Sequence, residues 1–391
     1  MNFDLTDEQR AYRDAARQFA IGELAPHAAR WDEEQYFPKE VVRRAGELGF
    51  CALYTPVADG GLGLSRLDAS IILEEMAAGC TSTTAYITIH NMALWMIATF
   101  GSEPLKAQWC PSMVTGEKLA SYCLTEPGAG SDAASLKTVA RLSGNEYRLT
   151  GTKAFISGAG STEVLVVMAR LEDEKGVHGG AGGVCSFVVP GDAPGITYGR
   201  KEQKMGWNSQ PTRQINFDDV AIPIGNRLGN EGDGFKIAMR GLDGGRINIA
   251  TCSIGTAQAA LDQATRYMTE RRQFGQTLSQ FQALQFKLAD MATELVAARN
   301  MVRLAAWKLD SKDPDATTYC AMAKRFATDV GFEVCNAALQ LHGGYGYIKE
   351  YPLERHVRDS RVHQILEGTN EIMRVIISRR VLMEGANEVI R

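Results

Sequence analysis

The sequence predicts an α+β chain of several domains: a helical N-terminal part, a strand-rich middle and a helical bundle at the end. Three observations carry this. Apolar residues recur at helical spacing at both ends of the chain. Alternating or β-branched runs fill the stretch between. And 391 residues are too many for one simple core. The divisions fall at 1–118, 119–230 and 231–391.

In the first part, Asn2-Phe3-Asp4-Leu5-Thr6 leads into a helix, with Thr6 and Gln9 spaced as a capping box. Glu8–Leu24 and Val41–Leu48 have helical periodicity, and Pro56–Gly63 reads as a loop. No Asp, Glu, Lys or Arg occurs from Met76 to Ser102, but Thr81–Thr84, His90 and Asn91 interrupt the run. It is expected to be a buried helix rather than a membrane span. The middle part should hold strands at Thr138–Leu142, Tyr147–Leu149, Lys153–Ser157, Glu163–Leu171, Val184–Val189 and Arg213–Phe217. Gly144-Asn145 suits a hairpin turn, and the glycines of Gly176–Gly183 suit a flexible surface loop. The last part should be helical over Gly255–Phe274, Gln282–Leu309, Asp315–Leu341 and Asn370–Met383, an antiparallel bundle with short connections.

Composition excludes several classes. The chain is 45% hydrophobic and 23% charged, as expected of a globular protein. A net charge of −4 gives no basic excess to bind nucleic acid or an anionic membrane. The cysteines at 51, 80, 110, 123, 185, 252, 320 and 335 form no CxxC pair, so reduced, buried thiols are expected. The acidic start argues against an export signal. No metal-ligand pattern is evident.

The most telling residue is Glu367, in Arg361-Val-His-Gln-Ile-Leu-Glu-Gly-Thr-Asn-Glu-Ile-Met-Arg374. A glutamate lodged among apolar residues resists ionisation, which makes it a base able to take a weakly acidic carbon-bound proton. An ordinary glutamate at a helix N-terminus fits the same letters. Tyr122-Cys123-Leu124-Thr125-Glu126-Pro127-Gly128-Ala129-Gly130-Ser131-Asp132 forces a turn with free N–H groups and hydroxyls, suited to an electron-rich ring or a phosphate, or simply to a turn. In Lys153-Ala154-Phe155-Ile156-Ser157, Phe155 and Ser157 share one strand face. Glu270-Arg271-Arg272-Gln273-Phe274-Gly275 ends a helix with cations, which could bind pyrophosphate or cap the helix. Gln340-Leu341-His342-Gly343-Gly344 allows close backbone approach to a ligand, or a C-cap, with His342 read as packed rather than basic.

These segments, with Gly206–Arg213, Leu242–Ile249 and Val357–Arg379, resemble the acyl-CoA dehydrogenase family over essentially the whole chain, and most closely its isobutyryl-CoA dehydrogenase branch. The resemblance implies a middle β-barrel-like domain, a C-terminal four-helix bundle, a homotetramer, and FAD at the junction of β-domain and bundle, reaching a neighbouring subunit. It implies that Glu367 removes the α-proton of an acyl-CoA thioester while the β-hydrogen leaves as hydride to the flavin. The Glu367 N–H and a flavin hydroxyl would polarise the thioester carbonyl.

By the same resemblance Tyr122, Cys123, Leu124, Thr125, Gly128, Gly130, Ser131, Phe155, Ile156 and Ser157 hold the flavin. Arg271, Phe274, Gln282, Gln340, Leu341, His342, Gly343 and Gly344 meet its pyrophosphate and adenine end, and Thr369, Asn370 and Glu371 add contacts. Ser131, Asp243, Arg246 and Arg379 match CoA-ester contacts. Two departures bear on the substrate and on the choice of Glu367 as the base. Leu366 stands where many straight-chain relatives have an aromatic residue, and Leu242–Arg246 supplies no alternative glutamate base. A short branched substrate such as isobutyryl-CoA is expected, with butyryl- or 2-methylbutyryl-CoA as alternatives. Electrons are expected to pass to electron-transfer flavoprotein. An oxidase, or a catalytically quiet nucleic-acid-binding homologue, fits less well: the first is typically longer, and the second needs a basic surface. Expected locations are a bacterial cytoplasm or, for a mature organellar form, the mitochondrial matrix. Valine breakdown is the pathway implied.

Overall fold

The computed structural model describes residues 4–174 and 176–384; Asn2 and Phe3 of the expected lead-in lie outside them. Six helices open the chain: α1 Asp7–Phe19, α2 Ala28–Glu34, α3 Lys39–Glu47, α4 Arg66–Gly79, α5 Thr81–Phe100 and α6 Glu103–Val114. The Thr6 hydroxyl accepts from the Gln9 N–H at 3.1 Å and the Gln9 side chain accepts from the Thr6 N–H, so the capping box is present. The uncharged run is broken at Cys80, whose extended backbone separates α4 from α5. Helix α5 is buried along nearly its whole length, and its polar residues find partners: Asn91 bridges Leu53 N and Phe50 O. Among the described residues no helix is long and apolar enough to cross a membrane.

The middle region is one nine-stranded sheet: β1 Ala120–Cys123, β2 Val139–Ser143, β3 Glu146–Ser157, β4 Val164–Asp173, β5 Gly176–Val177, β6 Val184–Pro190, β7 Ile196–Tyr198, β8 Thr212–Pro223 and β9 Arg227–Leu228. The main path runs β7-β8-β3-β2-β4-β6-β9, with β1 and β5 also paired to β4. One face of the long strands feeds a single core in which Ile196 and Tyr198 from one end of the path join Phe187 from near the other. The sheet therefore curls around that core, the barrel-like form expected. The strands expected at 147–149 and 153–157 are one strand, β3, with irregular register against β8 between Lys153 and Ile156. The irregularity turns both Lys153 and Ala154 inward. Gly176–Gly183, expected to be a flexible loop, instead carries β5 and a 3-10 turn. Arg170 pins it by donating to the His178 and Gly180 carbonyls, both at 2.8 Å.

The last part holds α7 Gly234–Glu270, the hairpin β10 Arg272–Gln273 and β11 Gln276–Thr277, then α8 Gln282–Asp310, α9 Ala316–His342, α10 Leu353–Arg361 and α11 Asn370–Glu384. Helix α7 begins 21 residues before the expected Gly255, because Gly241, Gly244 and Gly245 read as helix breakers yet lie inside it. Helices α7, α8 and α9 share one apolar core, and α11 packs on α9 to complete the bundle. All eight cysteines are free and buried. The three parts are tied by charge. Arg358 on α10 makes a bidentate pair with Asp32 of α2 at 2.6 and 3.0 Å, and donates to the Met205 carbonyl in the segment before β8.

Candidate active site

Glu367 sits in the turn between α10 and α11. Its backbone is left-handed at φ 53°, followed by Gly368 at 90°, an arrangement glutamate rarely adopts. The residue keeps some solvent access, yet its Oε2 is closed off from water and has no hydrogen-bond partner among the described residues. Burial pushes the carboxyl up from 4.5 to about 7, while the positive charges of Lys324 and Arg246 oppose the shift. The carboxylate lies against the backbone of α7: a β-carbon on Gly245 would overlap Oε2, so only glycine leaves room there.

Around it stand residues from three regions. Tyr122 of β1 and Cys252 of α7 feel the Glu367 charge, as does Tyr54 in the loop before α4. Arg246 is buried and pairs with Asp243 at 2.7 Å, whose other oxygen accepts from Thr317. Asp243 is thus committed to Arg246 and Thr317, and it is Arg246 whose Nε has no partner among the described residues. Arg379 is not brought to this group. It is exposed, nine residues along α11 from Asn370, an axial rise of about 13.5 Å.

The turn after β1 is held by a buried ion pair. Lys153 Nζ donates to Glu126 Oε1 at 2.7 Å and to the Leu124 carbonyl at 3.0 Å, and Glu126 accepts from the N–H groups of Lys137 and Thr138. That frame leaves Gly128, Gly130 and Ser131 exposed, and β-carbons on either glycine would meet open space. Phe155 is 69% exposed in a left-handed conformation, φ 58°, with Ser157 on the same outward side. Cys123 and Ile156, expected as flavin contacts, point their side chains into the sheet core, so only their backbones face the turn.

A cavity of about 510 Å³ opens between the ends of α7 and α9, lined by Tyr267, Arg271, Gln340, Leu341, His342, Gly343 and Gly344 among others. His342 stacks on Tyr267 at 4.2 Å and its Nδ1–H donates to the Ala338 carbonyl at 2.8 Å, which leaves Nε2 without a partner among the described residues. The ring is a packed one, held neutral by burial. Phe274 forms the tip of the β10–β11 hairpin and is 93% exposed; Gln282, at the start of α8, is also exposed and outside the cavity lining. Thr369 accepts from the Ile372 N–H and so caps α11, Asn370 is buried beside it, and Glu371 faces solvent. The sequence reading missed Lys324, Tyr54 and Gly245. No sequence signal pointed to Gly245, because the glycines there read as helix breakers rather than as part of α7.

The chain matches known domain families along its length. Family models for the N-terminal, middle and C-terminal domains of acyl-CoA dehydrogenase match residues 6–117, 121–220 and 232–382. The chain belongs to the acyl-CoA dehydrogenase family. It is 54% identical over 382 residues to mitochondrial isobutyryl-CoA dehydrogenase of Bos taurus, covering 97% of this chain and 90% of that protein. The isobutyryl-CoA dehydrogenase of Dictyostelium discoideum is 53% identical over 377 residues, at 96% and 90% coverage. The solved structure of butyryl-CoA dehydrogenase from Megasphaera elsdenii superposes with a TM-score of 0.93 at 38% identity, covering 98% of this chain and all of that one. As a member of this acyl-CoA dehydrogenase family, the chain is an oxidoreductase acting on acyl-CoA.

Proposed function

We propose that this acyl-CoA dehydrogenase oxidises isobutyryl-CoA to methacrylyl-CoA in valine breakdown, with Glu367 as the α-proton base. The observation that carries the reading is the Glu367 carboxylate: enclosed, unpartnered at Oε2 among the described residues and raised to about 7. Such a group is ionised in part at neutral pH and basic enough to accept a carbon-bound proton. Its N–H, held by the left-handed turn, is the donor for the thioester carbonyl.

The residues present fit FAD. Open glycines at 128 and 130, outward Phe155 and Ser157, and the cavity lined by Arg271 and by His342, whose Nε2 has no partner among the described residues, make a ring site, a phosphate turn and a nucleotide end. When bound, FAD supplies the hydride acceptor for the β-hydrogen. Phe274 and Gln282 lie outside their own chain's cavity and suit contact with the flavin of a second subunit in a homotetramer. Arg246, whose Nε has no partner among the described residues and whose plane is fixed by Asp243, suits the CoA ester. Leu366 and Ile89 pack in a small apolar group with Ala85, Ile249 and Cys252, which supports a short acyl group over a long one. Electron-transfer flavoprotein is the acceptor expected for the reduced enzyme, in the mitochondrial matrix or a bacterial cytoplasm.

The test is Glu367→Gln, nearly isosteric and not basic. The variant should bind FAD as the parent does and fail to bleach it anaerobically with isobutyryl-CoA. Rapid bleaching by the variant would remove Glu367 from the reaction.

A further inference from the structure

Lys324 on α9 has no place in the chemistry proposed above, yet it is fully enclosed. Its Nζ donates to the Gly368 carbonyl at 2.7 Å and to Asn370 Oδ1 at 2.9 Å. Both acceptors lie just past Glu367, in the turn whose two left-handed residues need an outside restraint to persist. Asn370 is itself fixed, its amide donating to Asp329 Oδ1 at 2.7 Å and Thr328 Oγ1 at 2.9 Å. Lys324 and Thr328 are four residues apart and share a face of α9, so one helix face holds the whole turn.

We propose that Lys324 is a positioning residue for Glu367: it clamps the Glu367–Gly368 turn through the Gly368 carbonyl and sets a cation within reach of the carboxylate. The proposal rests on Glu367 being the base. The groups that face Glu367 are Lys324 from α9, Arg246 and Cys252 from α7, Tyr54 from the loop before α4 and Tyr122 from β1. Lys324 in turn feels Glu367, Arg246, Asp329 and Glu371, and its charge reaches His363. Burial lowers its pKa to about 7 and the Glu367 charge opposes this. Ionised Glu367 therefore favours the protonated form of Lys324, and the two titrate as a coupled pair.

The test compares Lys324→Met, which removes donor and charge, with Lys324→Gln, which keeps a donor for the Gly368 carbonyl without charge. In folded variants with parental FAD content, flavin reduction by isobutyryl-CoA should slow at least about tenfold in K324M, as loss of orientation at a reacting group does. K324Q should fall between parent and K324M. In both, the pH midpoint of that rate should move upward by at least about half a unit, because a cation favouring the carboxylate is gone. An infrared titration of the flavin-free proteins, following the protonated carboxyl band that E367Q lacks, should show the same upward move without any turnover. If K324M does not fold, K324Q decides. Unshifted midpoints in the folded variants, by rate and by infrared, overturn the role of Lys324 while leaving the base intact. An E367Q that still bleaches overturns the base itself, so the two failures are distinct.

Discussion

The backbone of Gly245, midway along α7, and the carboxylate of Glu367, in the turn before α11, fill one continuous space: a β-carbon on the glycine would overlap Oε2 and lie 3.3 Å from Oε1. Two segments 122 residues apart thus meet at this carboxylate. Glycine inside a helix is usually a cost of roughly 0.5–1 kcal/mol relative to alanine. Here that cost is accepted in exchange for the position of a carboxylate.

Gly245→Ala should therefore leave helix and flavin content intact and displace Glu367. The expected outcome is a fall of at least about tenfold in flavin reduction rate, the scale of a misplaced catalytic group. Stopped-flow reduction beside a flavin count separates the two effects. A rate within twofold of the parent would show that the carboxylate has other room.

The raised carboxyl has a consequence for stability. Glu367 is about 7 in the folded chain against 4.5 as its ordinary value. Below about pH 4.5 the group is neutral in both states and folding bears no penalty. The native state loses stability through the window from 4.5 to 7 and keeps the full penalty above it. E367Q, free of that penalty, should be more stable than the parent at pH 8 by on the order of 3 kcal/mol, with the difference vanishing in acid. Urea unfolding of the flavin-free proteins across pH measures it; an equal difference at pH 4 and pH 8 would contradict the assignment. If Glu367 is the base proposed, the rate of flavin reduction should likewise fall as pH drops through about 7, where its carboxyl becomes protonated.

What the sequence made legible was local. Glu367 and its neighbours, the Pro127–Ser131 turn and the long periodic helices α8 and α9 are written in contiguous letters, and each was found within a few residues. The start of α7 was not, because its glycines are explained only by what packs against them from elsewhere: Glu367 at Gly245 and Arg66 at Gly244. Lys324 was missed for the same reason. A lone lysine on an amphipathic helix reads as a solvated side chain, and its burial depends on a turn 44 residues away. Cys123 and Ile156 entered the candidate site by adjacency in sequence, while the period of a strand sends their side chains to the opposite face.

Arg358 joins α10 to α2 and to the segment before β8, and its removal would leave Asp32 and Glu354 without their guanidinium. Both carboxylates are mostly enclosed, with 12% and 20% of their side chains exposed. The loss should lie between the limits for exposed and buried pairs, so Arg358→Ala is expected to cost about 2 kcal/mol. Asn208, which also donates to Asp32, retains part of the junction. Chemical denaturation of the holoenzyme should register the change. Unaltered stability would mean that the junction is held by its other contacts, among them the Arg299–Glu74 pair at 2.7 Å and the Thr81–Thr256 hydrogen bond.

The proposed substrate choice rests on the apolar group beside Glu367. Leu366 immediately precedes Glu367, and it packs with Ile89 of α5 and Val362 against Ala85, Trp207, Ile249 and Cys252. The branched side chains of Ile89 and Leu366 enter this group from separate elements, where an open tunnel would need small residues. On the proposed reading this group closes the acyl site, and each methylene that cannot be accommodated costs on the order of 1–3 kcal/mol of discrimination. Isobutyryl-CoA should exceed octanoyl-CoA in kcat/KM by at least about a hundredfold, since several methylenes are excluded. Butyryl-CoA and 2-methylbutyryl-CoA should fall between, differing by small changes of shape. Steady-state kinetics over the four thioesters, with electron-transfer flavoprotein and with oxygen as acceptors, provides the check. Preference for octanoyl-CoA would discard the branched substrate and leave the family intact, whereas fast peroxide formation would make the enzyme an oxidase.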